Sequence, residues 1–327
     1  MPAIFVTRRI PERGLNMLRV AFGPENVRVA PQDGVIERKD LVEGVRGVDA
    51  LLCILTDSID AEVMDAAGPQ LKIIANYAVG YNNIDVAAAT QRRIPVTNTP
   101  GVLTETTADL AWALLMAAAR RLGESERLLR AGRWAGWGPM LFLGVDIHGK
   151  TLGIYGMGRI GQAMARRAKG FDMRVIYHDQ TPIAQELEQQ LNAAYVDKAA
   201  LLAESDFLSI HCPLTPETRH AFGEAEFKAM KPTAVIINSA RGPIIDEKAL
   251  AHALNNNVIF AAGLDVFEDE PAIHPDLLEC QNAVLIPHLG SASQETRGRM
   301  AEIAAANILA RLNGQTPPAC VNPEILQ

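Results

Sequence analysis

Three residues far apart in the chain carry side chains that could do chemistry together. Arg241 lies in Ile237-Asn-Ser-Ala-Arg-Gly242, Glu270 in Gly263-Leu-Asp-Val-Phe-Glu-Asp-Glu-Pro271, and His288 in Leu285-Ile-Pro-His-Leu-Gly-Ser-Ala-Ser293. Each follows a short apolar run that reads as a buried strand, and doubly wound folds place their ligands just beyond such strands. A guanidinium can clamp a carboxylate and polarise an adjacent carbonyl. A histidinium can protonate the carbonyl oxygen as hydride arrives, and a carboxylate can hold that histidine and favour its charged form. This is the equipment for reducing a 2-oxo acid. Taken singly, each residue is an ordinary loop residue; three at one edge of one sheet describe a site.

A hydride source is implied by the segment upstream. Thr151-Leu-Gly-Ile-Tyr-Gly-Met-Gly-Arg-Ile-Gly161 is followed by a helical stretch and then by Met173-Arg-Val-Ile-Tyr-His-Asp179. Gly156 permits a tight turn out of a strand, Gly158 lets a pyrophosphate approach bare backbone, and Gly161 lets the helix pack close on the strand. Asp179 ends the next strand at about the 20-residue spacing at which an acid reaches the adenosine ribose hydroxyls. The pattern predicts a nicotinamide dinucleotide site with NADH preferred and NADPH weaker, because Asp179 repels a 2′-phosphate and no arginine follows at Gln180 or Thr181.

The elements that must position these residues form two series. Residues 3–8, 27–30, 50–55, 71–77 and 94–99 are short apolar or β-branched runs separated by helical periodicity, as in Pro11 to Phe22 and Ala61 to Ala67. That alternation predicts a small parallel sheet. A second series, Thr151 to Tyr155, Arg174 to His178, Phe207 to Cys212, Ala234 to Ser239, Phe260 to Val266 and Ala283 to Pro287, makes a six-stranded Rossmann sheet. A long amphipathic helix, Gln294 to Leu312, ends at Asn313-Gly314, and the short tail is expected to return to the first sheet. The expected architecture is α/β, with a Rossmann domain (100–290) inserted into a smaller flavodoxin-like substrate domain (1–99 and 291–327).

Composition narrows the partners. The 327 residues carry a formal charge of -7 and no basic tract, which argues against nucleic acid or an anionic membrane surface. The run Leu110 to Ala119 is too short to span a bilayer and is typical of a buried helix, and the N-terminus reads as a strand rather than a signal peptide. Cys53, Cys212, Cys280 and Cys320 form no CxxC pair, so reduced thiols and a cytoplasmic location are expected. His148, His220, His252 and His274 have no partner at metal-ligand spacing, so no metal is predicted; His178 is expected beside the adenine.

With these segments assembled, the chain resembles the D-2-hydroxyacid dehydrogenases over nearly its whole length, nearest to their glyoxylate/hydroxypyruvate reductase branch. Besides the segments above, the likeness is carried by Ala75-Asn-Tyr-Ala-Val-Gly-Tyr-Asn-Asn-Ile-Asp85, Val96-Thr-Asn-Thr-Pro100, Thr106-Thr-Ala-Asp109 and His211-Cys-Pro-Leu-Thr215. The resemblance implies that the amides of Ala78, Val79 and Gly80 hold the substrate carboxylate with Arg241, while Glu270 and His288 carry out proton transfer. It also implies that Thr107, Arg159, Ile160, His211, Cys212, Pro213, Ala240, Asp265 and Gly290 line the cofactor, with Asp265 near the nicotinamide amide. Asn82 stands where the family usually has Asp, a change expected to alter a turn rather than the chemistry.

The branch is suggested by Gly132-Arg-Trp-Ala-Gly-Trp-Gly-Pro-Met-Leu-Phe-Leu-Gly144. In the resembling reductases the tryptophan at position 137 crosses a two-fold interface into the partner's pocket, which implies a homodimer; on composition alone, a core tryptophan is as good a reading. Packing of Leu55, Trp137 and Leu141 would set the size of the substrate. The uncharged surface of Leu110 to Ala119 also suggests a covered interface. The alternatives are relatives acting on D-lactate, phosphoglycerate or phosphite, or a non-catalytic NAD sensor of the same fold. A phosphite enzyme would carry lysine where this chain has Val79.

Overall fold

The computed structural model describes residues 1–326; Gln327, which the sequence reading assigns to the substrate domain, lies outside the described residues. The chain forms two compact units, one from Met1–Leu103 with the chain from Ser291 onward, the other from Thr104–Gly290.

The first unit is built on strands β1 (Ile4–Val6), β2 (Val27–Val29), β3 (Ala50–Cys53), β4 (Ile73–Asn76) and β5 (Val96–Thr97), all parallel in the order β2-β1-β3-β4-β5. This is the flavodoxin-like winding, with its switch point between β1 and β3. Four of the strands, β1, β3, β4 and β5, are buried along their whole length, as a sheet covered on both faces requires. Helix Gln294–Leu312 starts where Ser293 caps the Thr296 amide, and it buries Ala301, Ala304, Ala305 and Ile308 in this unit's core. The tail returns as the sequence predicts: Val321 donates to the Val96 carbonyl at 2.7 Å, and the Asn322 side chain accepts the Val96 amide at 2.8 Å. An otherwise open sheet edge is thereby covered.

The second unit holds β6 (Thr151–Tyr155), β7 (Arg174–His178), β8 (Ala193–Tyr195), β9 (Phe207–Ile210), β10 (Val235–Asn238), β11 (Ala261–Leu264) and β12 (Ala283–Leu285). They are parallel in the order β12-β11-β10-β9-β6-β7-β8, a Rossmann winding whose switch point lies between β6 and β9.

The structure departs from the sequence reading in several places. The sheet has a seventh strand, β8, a three-residue edge strand whose Ala194 and Tyr195 are exposed. Residues 100–103 stay with the first unit because the chain crosses over only where helix Thr104–Ala119 begins. Strand β9 ends at Ile210, which leaves His211 and Cys212 on the loop beyond it. Finally, the apolar surface of Leu110 to Ala119 is not left for a partner: Ala111, Trp112, Leu114, Leu115, Ala118 and Ala119 are buried in the second unit's own core.

Candidate active site

In the second unit, Arg241, Glu270 and His288 follow β10, β11 and β12 at the carboxyl edge of the sheet. Each is held by its own device. Beyond β10, the buried Asn238 side chain donates to the Arg241 carbonyl at 2.8 Å and accepts the Ala240 amide at 3.0 Å, which fixes the turn presenting the guanidinium. Gly242 lies against the segment that bears Glu270. A Cβ there would sit 1.9 Å from the Phe267 carbonyl carbon, so no other residue fits.

The Glu270 carboxylate accepts the Phe267 amide at 3.0 Å with one oxygen and meets His288 Nδ1 at 2.8 Å with the other. That contact makes Nδ1 the proton-bearing nitrogen and leaves Nε2 outside the Glu270 contact. His288 has left-handed backbone (φ 49), a strained conformation for a non-glycine residue. Its own amide donates to the Asp265 carbonyl at 3.0 Å, and the Asp265 carboxylate accepts the next amide, that of Leu289, at 2.5 Å. The side chains of His288 and Glu270 remain 28% and 21% exposed, open enough to reach a ligand.

The electrostatics agree with proton transfer. Burial pushes the Glu270 carboxyl up, but the His288 imidazole, the Phe267 amide and Arg241 together hold it below its ordinary value. Burial lowers the Arg241 guanidinium from its high ordinary value, and Glu270 opposes that shift, so the arginine stays charged. Burial raises the Asp265 carboxyl against the pull of the Leu289 amide and His288.

The dinucleotide fingerprint is placed at the switch point. Gly156 has φ 100, and a Cβ on it would lie 2.5 Å from the Cys212 amide nitrogen; a Cβ on Gly161 would lie 2.3 Å from the Gly156 carbonyl oxygen. Around Gly158 a Cβ would meet no atom within 4 Å, so bare backbone faces open space at the start of helix Arg159–Ala168, as a bound pyrophosphate requires. Asp179 accepts the Met157 amide at 2.7 Å with one oxygen, tying the end of β7 to the fingerprint turn. Thr107 Oγ1 donates to the Gly290 carbonyl at 3.1 Å. Burial pushes the His211 imidazole down to about 3 and the Cys212 thiol up to about 12, so both are neutral. The buried His211 Nδ1 has no partner among the described residues, while its Nε2 meets Ser209 Oγ at 2.8 Å. The residues present therefore fit a dinucleotide. His178 is stacked against Tyr155 and Tyr195, with ring centroids 5.7 Å apart in each case.

In the first unit, the loop after β4 has its carbonyls pinned. Ala78 accepts the Thr99 amide at 2.9 Å, Val79 the Asn98 side chain at 2.8 Å and Gly80 the Asn76 side chain at 2.8 Å. Among the described residues none of the three amides has a protein acceptor, so the donors are left for a ligand. The Asn83 side chain donates to the carbonyls of Ile54 and Asp57, both at 3.1 Å, and so fixes the loop carrying Leu55.

Trp137 is 84% exposed and Leu141 44%, which removes the core reading of the tryptophan. The remaining histidines have ordinary partners, such as Asp172 for His148 and Glu268 for His220. Sequence reasoning missed Asn238, Asn83 and Ser209. Only Asn238 ends a strand; Ser209 lies within β9 and Asn83 seven residues beyond β4, so residue type and position alone do not mark them.

Residues 112–290 match the NAD binding domain of the D-isomer specific 2-hydroxyacid dehydrogenases. A glyoxylate reductase of Korarchaeum cryptofilum is 53% identical over 329 residues, spanning 100% of this chain and 97% of its own length. The crystal structure of a Thermus thermophilus protein superposes with a TM-score of 0.90 at 45% identity, covering 98% of this chain and 99% of that one. An NADPH-dependent glyoxylate/hydroxypyruvate reductase from Sinorhizobium meliloti, solved with NADP and malonate, is 35% identical with a TM-score of 0.83, covering 98% and 96%.

Proposed function

Because this chain belongs to the D-isomer specific 2-hydroxyacid dehydrogenase family, we propose that it reduces a small 2-oxo acid, glyoxylate or hydroxypyruvate, to the D-2-hydroxy acid with NADH. The observation that carries this reading is the 2.8 Å contact of Glu270 with His288 Nδ1, at the sheet edge that also bears Arg241. When bound, the reduced nicotinamide supplies hydride to the carbonyl carbon. Arg241 holds the substrate carboxylate and polarises the carbonyl. His288 delivers the proton on Nε2 to the carbonyl oxygen as the C=O bond becomes C–O–H, and Glu270 stabilises the imidazolium beforehand. Leu55 bounds the substrate's side chain.

The preference for NADH rests on Asp179. A 2′-phosphate roughly 5 Å from its carboxylate, at an effective dielectric near 20, costs on the order of 3 kcal/mol per unit of charge, about a hundredfold. The NADPH-dependent relative shows that fold alone does not decide the cofactor; here neither Gln180 nor Thr181 offers a compensating cation.

The proposed assembly is a homodimer in which Trp137 enters the partner's substrate site. Leu122, Leu129, Trp134, Trp137, Met140, Leu141 and Leu143 are all exposed in one stretch of sequence, more apolar surface than an isolated chain normally leaves in water. The test is a panel of 2-oxo acids, each assayed with NADH and NADPH. Highest kcat/KM for glyoxylate or hydroxypyruvate with NADH is expected. Tight NADH binding without turnover of any 2-oxo acid would make the protein a sensor instead.

A further inference from the structure

Helix Glu247–Asn255 begins with a carboxylate that the reaction itself does not use. Its start is fixed by Asp246, whose side chain accepts the Ala249 amide at 2.9 Å, and Glu247 is only 5% exposed. A buried carboxylate needs donors, and Glu247 takes them from two places in the chain. One oxygen accepts the Glu268 amide at 2.5 Å and the other accepts the His274 amide at 3.0 Å. These amides lie at the two ends of the segment that carries Glu270. Glu268 returns the bond, accepting the Glu247 amide at 2.8 Å with one oxygen while His220 Nε2 meets the other at 2.8 Å. We infer that Glu247 is a positioning residue for proton transfer: its carboxylate closes the Glu268–His274 loop and thereby holds Glu270 against His288.

The geometry requires two acceptor oxygens 2.5 and 3.0 Å from amides that leave the same loop in different directions. A glutamine in this place has one acceptor and one donor, so one of the two amides would face an NH2 group, and the loop would open at that end. The opening would be felt at Glu270, whose Phe267 bond and His288 bond both depend on the loop's path. The other charged groups facing the pair are Asp265, beneath His288, and Arg241, beside Glu270. The Glu247 carboxylate is taken up by the Glu268 and His274 amides, so its effect runs through the loop.

The inference rests on the proposed role of Glu270 and is tested by readouts that separate the two. Glu247→Gln is expected to lower kcat for glyoxylate reduction ten- to a hundredfold, on the order that loss of a productive geometry costs, with the Kd for NADH unchanged. In histidine-labelled protein the His288 resonance should titrate at lower pH in Glu247→Gln than in the parent, as in Glu270→Gln, a readout that needs no turnover. In the Glu270→Gln background, Glu247→Gln should add less than about twofold, since both act on one contact. Glu247→Asp, which keeps the charge on a shorter arm, should recover part of the loss and provides a folded variant if the glutamine destabilises the loop. An unshifted His288 titration in both Glu247 variants, with losses that multiply those of Glu270→Gln, overturns the inference and leaves the role of Glu270 intact. An unshifted titration in Glu270→Gln itself overturns the reading beneath it.

Discussion

At the scale of single residues, the site separates binding from proton transfer. Arg241→Lys should restore only part of the substrate use that Arg241→Ala abolishes, because an ammonium cannot make the planar two-point contact with a carboxylate; full activity in the lysine variant would remove the clamp from the account. For Glu270→Gln, the imidazolium loses its carboxylate, so the alkaline limb of the reduction profile should move to lower pH. The stability profile carries a separate sign. The Glu270 carboxyl sits below its ordinary value of 4.5, so its ionised form stabilises the fold above that pH, and the contribution disappears as the pH falls through the folded-state value. Thermal denaturation scanned downward from neutrality should therefore be less steep in Glu270→Gln on the acid side. A parallel pair of curves would mean that the contact is not formed in solution.

At the scale of elements, the end of β7 and the turn after β10 are the places where one change redirects the whole site. Asp179→Ser combined with Gln180→Arg should shift kcat/KM from NADH toward NADPH, read from initial rates with both cofactors. Gly242→Ala forces a methyl group onto the Phe267 carbonyl, and a cost of about 1–3 kcal/mol in urea unfolding is expected from such overpacking. Much of this arrangement was legible in the sequence. Helix Gln294–Leu312 announces itself through its amphipathic pattern and the Asn313-Gly314 stop, and the buried strands through unbroken apolar runs. Strand β8 was missed: its run Ala193-Ala-Tyr195 is only three residues long and lies at the sheet edge. The apolar run Leu110 to Ala119 was legible as a helix but not as to its covering, because its neighbours, helix Arg159–Ala168 with β10 and β11, are supplied by distant sequence. At the site, residue types pointed to Arg241, Glu270 and His288. The left-handed backbone of His288 and the grips of Asn238 and Asp265 were not legible, since they arise only once the turns have formed.

At the scale of the whole molecule, the claim is of two copies and one reaction. Exposed Trp137 is expected to complete the partner's site, so co-expression of Trp137→Ala with Arg241→Ala should yield heterodimers with one doubly defective site and one intact site. Recovered activity in verified heterodimers is predicted; no recovery, or an active monomer by light scattering, contradicts the assembly. The proposed reaction takes its proton from His288, whose Nε2 is the ring nitrogen left by the Glu270 contact. The most direct measurement is therefore glyoxylate reduction by His288→Ala beside NADH binding to the same protein. Turnover roughly a hundred- to ten-thousandfold below the parent, with an unchanged Kd for NADH, is the predicted result. Turnover within a few-fold of the parent would contradict proton donation by His288 and the account built on it.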